Sequence, residues 1–174
     1  MDKEKLKRIL EQHKIWLESD GKEGECADLG HAYLKDAFLK DANLECAVLK
    51  GANLKDADLE DADLERAVLE SANLESANLE GVNLYCADLR DAILEDAFLK
   101  DASLEGAVLE GVNLKGANLE GAILYGVHLE GAKFSIEIRE CITFEHSFVS
   151  KEQLYWLALH PRFKEFLPTL KIMQ

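Results

Sequence analysis

From Leu29 to Leu129 every fifth residue is leucine, twenty-one in succession without an exception. Two residues before each stands a small apolar side chain: alanine throughout, from Ala27 to Ala132, except at Val82, Val112 and Val127. The residue between them is most often Asp or Asn, so the unit reads Ala-(Asp/Asn)-Leu-x-x. A period of five fits neither regular element. On an α-helix five residues advance about 500°, so the leucines would spiral over every face. On a flat strand an odd period sends successive leucines to opposite faces.

Ala and Leu, two apart, do share one side of a short extended segment. The other two residues must then turn the chain so that the next Ala-x-Leu again points inward. Four turns of about 90° close a square, and twenty residues make one coil. Parallel coils stack about 4.8 Å apart through backbone hydrogen bonds, and right-handed winding is the default for parallel connections. The expected fold class is an all-β solenoid: a right-handed quadrilateral parallel β-helix filled by a column of leucine and alanine. The A-(D/N)-L-x-x run resembles the pentapeptide-repeat family over roughly residues 26–149, whose members form such β-helices. Many relatives carry Phe at some central positions, whereas here the first is Phe134.

An open stack needs covered ends. Leu6, Ile9, Leu10, His13, Trp16 and Leu17 fall at helical spacing and predict an amphipathic helix over 3–18 that covers the first coil. His13 on that face reads as a packed cap residue rather than a ligand. At the other end the phase slips: Ile136 and Ile138 sit one residue early, and Ile142 and Phe144 restore it, as a compensated bulge would. Ser150 with Gln153 makes a capping box that opens a helix stopped by Pro161. The division expected is 1–25 for the capping helix and linker, 26–149 for the β-helix and 150–174 for a C-terminal helical cap. Leu154, Tyr155, Trp156, Leu157 and Leu159 make that last helix apolar on nearly every side. Either it folds on itself as a cap or it joins two copies; relatives that protect DNA gyrase often dimerise through their C-terminal ends, so the resemblance implies a homodimer as one outcome.

Residues twenty apart should stack into columns. Val48, Val68 and Val108 form one, interrupted by Asp88, and are the preferred candidates for an apolar contact. Phe38 with Phe98, Tyr33 with Ile93, and Tyr85 with Tyr125 occupy the other faces as single apolar residues, which are ordinary on a β surface. Cys26, Cys46 and Cys86 share a column with Arg66 and read as free thiols, since stacked side chains run parallel rather than toward each other. No Cys/His set has zinc spacing, so no metal or cofactor is expected. The last repeat position is Gly at 106, 111, 116, 121, 126 and 131 but Asp or Ser earlier, which suggests a corner that does not strictly demand glycine.

No nucleophile elbow, P-loop or His-containing metal motif occurs. A solid prism also offers no water-excluding pocket in which carboxylates could be tuned for acid/base work, so an enzyme is not expected. No stretch is apolar enough for a membrane span, and the charged N-terminus lacks an apolar signal core, which points to the cytoplasm. The net charge of −14 argues against direct nucleic-acid binding. It is unevenly placed: residues 27–134 carry 22 acidic and 9 basic side chains, whereas 135–174 carry five of each. The richest patch is Asp56, Asp58, Glu60, Asp61, Asp63 and Glu65, wrapped around one coil. Two functions follow as expectations. One is a non-catalytic scaffold for protein–protein interaction with an unspecified partner. The other, implied by the resemblance, is an acidic DNA mimic that binds DNA gyrase or topoisomerase IV.

Overall fold

The computed structural model describes residues 1–134 together with two short strands, Phe148–Val149 and Lys171–Ile172. Seventeen parallel bridges join the residue between Ala and Leu to its counterpart twenty residues on, from Asp28↔Val48 to Val108↔His128. Asn113–Leu114 (β1) pairs with Lys133–Phe134 (β2) at the same offset, so the register holds to Phe134. Every coil thus takes twenty residues and has four sides. Phe148–Val149 (β3) pairs in parallel with Lys171–Ile172 (β4), an offset of 23 that departs from the repeat. The expected bulge at 136–144 and the helix opening at Ser150 lie outside the described residues.

The repeat Ala57–Asp61 shows why the unit is five residues long, because each of its N–H groups has its own acceptor. Ala57 donates to the Leu54 carbonyl at 3.0 Å and closes the corner. Asp58 donates to Ala37 one coil below, and Leu59 and Asp61 to Asn78 and Glu80 one coil above. The Glu60 N–H has no ladder partner and is taken by the Asp58 side chain, 3.2 Å away. The same bond forms at all eleven Asp and Asn residues of that position. This is the reason for the Asp/Asn preference: a short side chain satisfies the one backbone donor that stacking leaves over.

The corners share one backbone conformation although their residues differ. From His31 to Gly131 the last repeat position is left-handed throughout, with φ between +54° and +74°. Thirteen such residues are not glycine. Asp tolerates this region best among them, whereas Cys46, Arg66 and Ser71 hold it against a strain of about 1 kcal/mol each. The corner therefore does not strictly demand glycine, as its mixed composition implies, and the other residues there hold a left-handed conformation.

All twenty-one leucines are buried, as are the alanines and valines beside them from Ala47 onward. In the first coil Ala32, Ala37 and Ala42 are only partly covered. The cover is the helix Lys3–Glu18 (α1), capped by Asp2, whose side chain accepts from the Glu4 N–H. Leu6, Ile9 and Leu10 pack on the core. His13 is fully buried; its Nδ1 accepts the Ala27 N–H at 3.1 Å and its ring stacks on Trp16. It is a packed cap residue, as its place on the apolar face implies. Burial pulls its pKa below the ordinary histidine value, opposed in part by the Glu45 backbone. The chain leaves α1 through Gly24, at φ +71°, where a Cβ would lie 2.3 Å from the Gln12 carbonyl oxygen.

Candidate functional site

The acidic patch is assembled on one coil, but little of it is bare charge. Glu60 forms an ion pair with Lys40 at 2.6 Å, and that hydrogen bond holds its carboxyl below the usual carboxylate range. Lys35 lies 3.6 Å from Asp56, and Arg66 lies 3.5 Å from Glu65. Asp58 and Asp63 accept from the stacked amides of Asn78 and Asn83 at 3.1 and 3.0 Å. Asp61 stands at a left-handed corner. The pairing recurs along the stack, with Lys50–Glu70 at 2.8 Å, Lys55–Glu75 at 2.6 Å and Lys100–Glu80 at 3.4 Å. The net charge of the coil is real, but many carboxylates already face a cation one coil away.

The valine column is present in register, Val48 bridging Val68 and Asp88 bridging Val108. Val68 and Val108 are half-buried, and Val48 is 36% exposed. The strongly exposed apolar side chains are instead Phe38 at 74%, Tyr33 at 60% and Phe98 at 52%. Tyr33 and Phe38 belong to the first coil and, with Leu6 and Leu10 of α1, line a groove of about 670 Å³. The expectation that a filled prism has no concavity therefore fails at its capped end. The groove lies outside the prism, where a single helix roofs only part of a square cross-section. Lys3, Lys7, Lys14 and Lys35 edge it against Glu11 and Asp36, a basic rim on an acidic protein. Helical spacing identified the cap, but not that it leaves Ala32, Ala37 and Ala42 of the first coil only partly covered.

Cys26, Cys46 and Cys86 are free thiols. Burial pushes the Cys26 and Cys46 thiols up, so they are poor nucleophiles. The linear spacing of Cys and His concealed one cluster, Glu110, His128 and Glu130, whose ligand atoms all lie within 4.8 Å of one another. Its signal is the twenty-residue period, which puts position 110 beneath 130. Leu154, Tyr155, Trp156, Leu157 and Leu159 lie outside the described residues. Among the described residues no helix is long and apolar enough to cross a membrane.

A chain of four-sided coils with an Ala-x-Leu interior defines a class, and its sequence places it there. The family model for pentapeptide repeats (8 copies) matches three stretches, residues 25–61, 62–101 and 97–135, and the chain belongs to the pentapeptide-repeat family. Among solved structures it is similar to the pentapeptide repeat protein Rfr23 from the cyanobacterium Cyanothece 51142. The identity is 39% and the TM-score 0.53, over 54% of this chain and 64% of that one. It therefore spans about two thirds of the length of Rfr23. It is also similar in fold to QnrB1, a plasmid-mediated fluoroquinolone resistance protein. There the identity is 20% and the TM-score 0.54, over 71% of this chain and 67% of that one. Among curated proteins none matches the chain in sequence.

Proposed function

We propose that the chain is a non-catalytic scaffold that holds a protein partner against the outside of a right-handed β-helix. The observation that carries this reading is the contrast between inside and outside. The interior is closed by buried leucine and alanine, while Tyr33 and Phe38 stand exposed over an apolar groove at the capped end. Exposed aromatics clustered beside a concavity are the surface feature most suited to anchoring a partner. The free thiols fit a reducing compartment such as the cytoplasm. Affinity capture with the parent protein, a Tyr33→Ser/Phe38→Ser variant and an Asp58→Asn/Glu60→Gln/Asp61→Asn variant tests the reading. A partner kept at high salt by the parent and the acidic variant, and lost by the aromatic variant, is expected. Equal retention by all three counts against it.

A second reading is favoured by the net −13 of residues 27–134: an acidic mimic of DNA that occupies a basic groove of a type II topoisomerase. It rests on charge and on the family resemblance, and the lysine–glutamate pairs along the stack weaken it. Binding of this kind should fall steeply as ionic strength rises. A gyrase supercoiling assay decides it: inhibition or protection that disappears in the acidic variant supports the mimic, and no effect at micromolar protein, with or without a quinolone, removes it. Either reading accommodates a homodimer through Leu154, Tyr155, Trp156, Leu157 and Leu159, for which a monomeric mass on sedimentation would be the refutation.

A further inference from the structure

The column of residues that follow leucine on one face runs Lys50, Glu70, Arg90, Glu110, Glu130. It alternates in sign as far as Glu110 and then places two glutamates in succession. Several glutamates of this kind have a partner one coil away: Lys40 for Glu60, Lys55 for Glu75, Lys100 for Glu80, the Asn113 amide for Glu95. Glu130 has none among the described residues. Both its carboxylate oxygens are nevertheless shut off from solvent, and neither accepts a hydrogen bond. A shielded carboxylate left without a donor or a cation is costly.

The third member of the cluster is an imidazole. His128 and Glu130 flank Leu129, whose side chain fills the core, so both project outward on the same side. Glu110 lies one coil below. Three backbone bonds lock the two coils together at this point. Leu109 donates to the His128 carbonyl at 2.7 Å, His128 to Ala107 at 3.1 Å and Gly111 to Glu130 at 2.8 Å. The Cα positions of all three residues are thus set by the ladder and not by a loop. Their ligand atoms lie within 4.8 Å of one another. Two donors on one tetrahedral zinc are about 3.3 Å apart, so modest side-chain rotation closes the set.

We propose that Glu110, His128 and Glu130 bind one divalent transition-metal ion of the Zn²⁺ type. One imidazole nitrogen with two carboxylates favours zinc over calcium or magnesium, which prefer all-oxygen sites. Three protein ligands leave a fourth position for water or for a donor from a partner. The ion clips the coil at 107–111 to the coil at 127–131 and supplies the positive charge that the column lacks above Arg90.

The experiment is titration of the full-length, chelator-stripped protein with Zn²⁺ by calorimetry, and with Co²⁺ by visible spectroscopy. The parent should bind one equivalent, with cobalt d–d bands and no thiolate charge-transfer band, and its melting temperature should rise with zinc by mass action. His128→Asn, Glu130→Gln and Glu110→Gln should each weaken that equivalent at least tenfold. All three positions face outward, and far-UV circular dichroism of the metal-free variants reports that the coil is intact. Cys26→Ser should leave the equivalent in place. The proposal is overturned if the parent binds no metal at micromolar concentration. It is equally overturned if the three variants bind as the parent does, or if a thiolate band appears and is lost with Cys26→Ser.

Discussion

At the scale of single residues, the backbone ladder dictates what the side chains must accept. Gly24 and Arg66 make a matched pair of tests, since both sit at positive φ. Gly24→Ala meets the Gln12 carbonyl oxygen and cannot be relieved by a side-chain movement. It should cost about 2 kcal/mol or more and lower the melting temperature. Arg66→Gly should have the opposite sign, a gain of up to about 1 kcal/mol, reduced by the greater freedom of glycine in the unfolded chain. Asn73→Ala removes the acceptor for the Glu75 N–H and should cost about 1 kcal/mol by chemical denaturation. The inward Ala and Leu were legible in the sequence because burial admits few residue types. The left-handed corner was not: it faces solvent, so Asp, Ser, Cys, Arg and Gly all occur there and hide a common φ.

At the scale of elements, α1 and the first coil form the joint whose stability depends on pH. The folded state keeps His13 neutral to a lower pH than the unfolded chain, whose histidine takes up its proton near 6.5. The contribution of His13 is therefore complete above pH 6.5 and is lost as pH falls from there toward the lower folded value. Fluorescence of Trp16, measured in a Trp156→Phe background, should show α1 loosening over that interval, and His13→Gln should flatten the dependence. Spacing alone located this helix to the residue, 3–18, because a 3.6-residue stripe stands out beside a five-residue one. What spacing could not convey is how much of a square a single helix covers. Tyr33 and Phe38 point outward because they stand between an inward Ala and Leu, as Phe98 does in mid-stack, and the partial roof leaves a groove beside them.

For the whole molecule, the interior and the surface obey different periods. Any multiple of five residues restores Ala and Leu to the core, but only a multiple of twenty restores Lys40 to Glu60 or Lys55 to Glu75. Excision of residues 62–81 removes one whole coil and should leave a cooperatively folding protein about 4.8 Å shorter, to be checked by circular dichroism and small-angle scattering. The candidate surfaces were legible only in part, for the same reason. Sequence position gives the columns and their charge, so Asp56 to Glu65 could be grouped as a patch. It does not say which carboxylates lysine already holds, or that Glu110, His128 and Glu130 converge.

A consequence follows from the bond between His13 and Ala27. A core built of interchangeable layers behaves like an unmarked ruler: sliding the chain by one layer leaves the inside unchanged. Nothing in the leucine column says which layer is first. The imidazole that receives the Ala27 amide does say so, and it is the zero mark from which every later layer is counted. A chain deprived of it would keep its leucines inside and lose its sense of where to start.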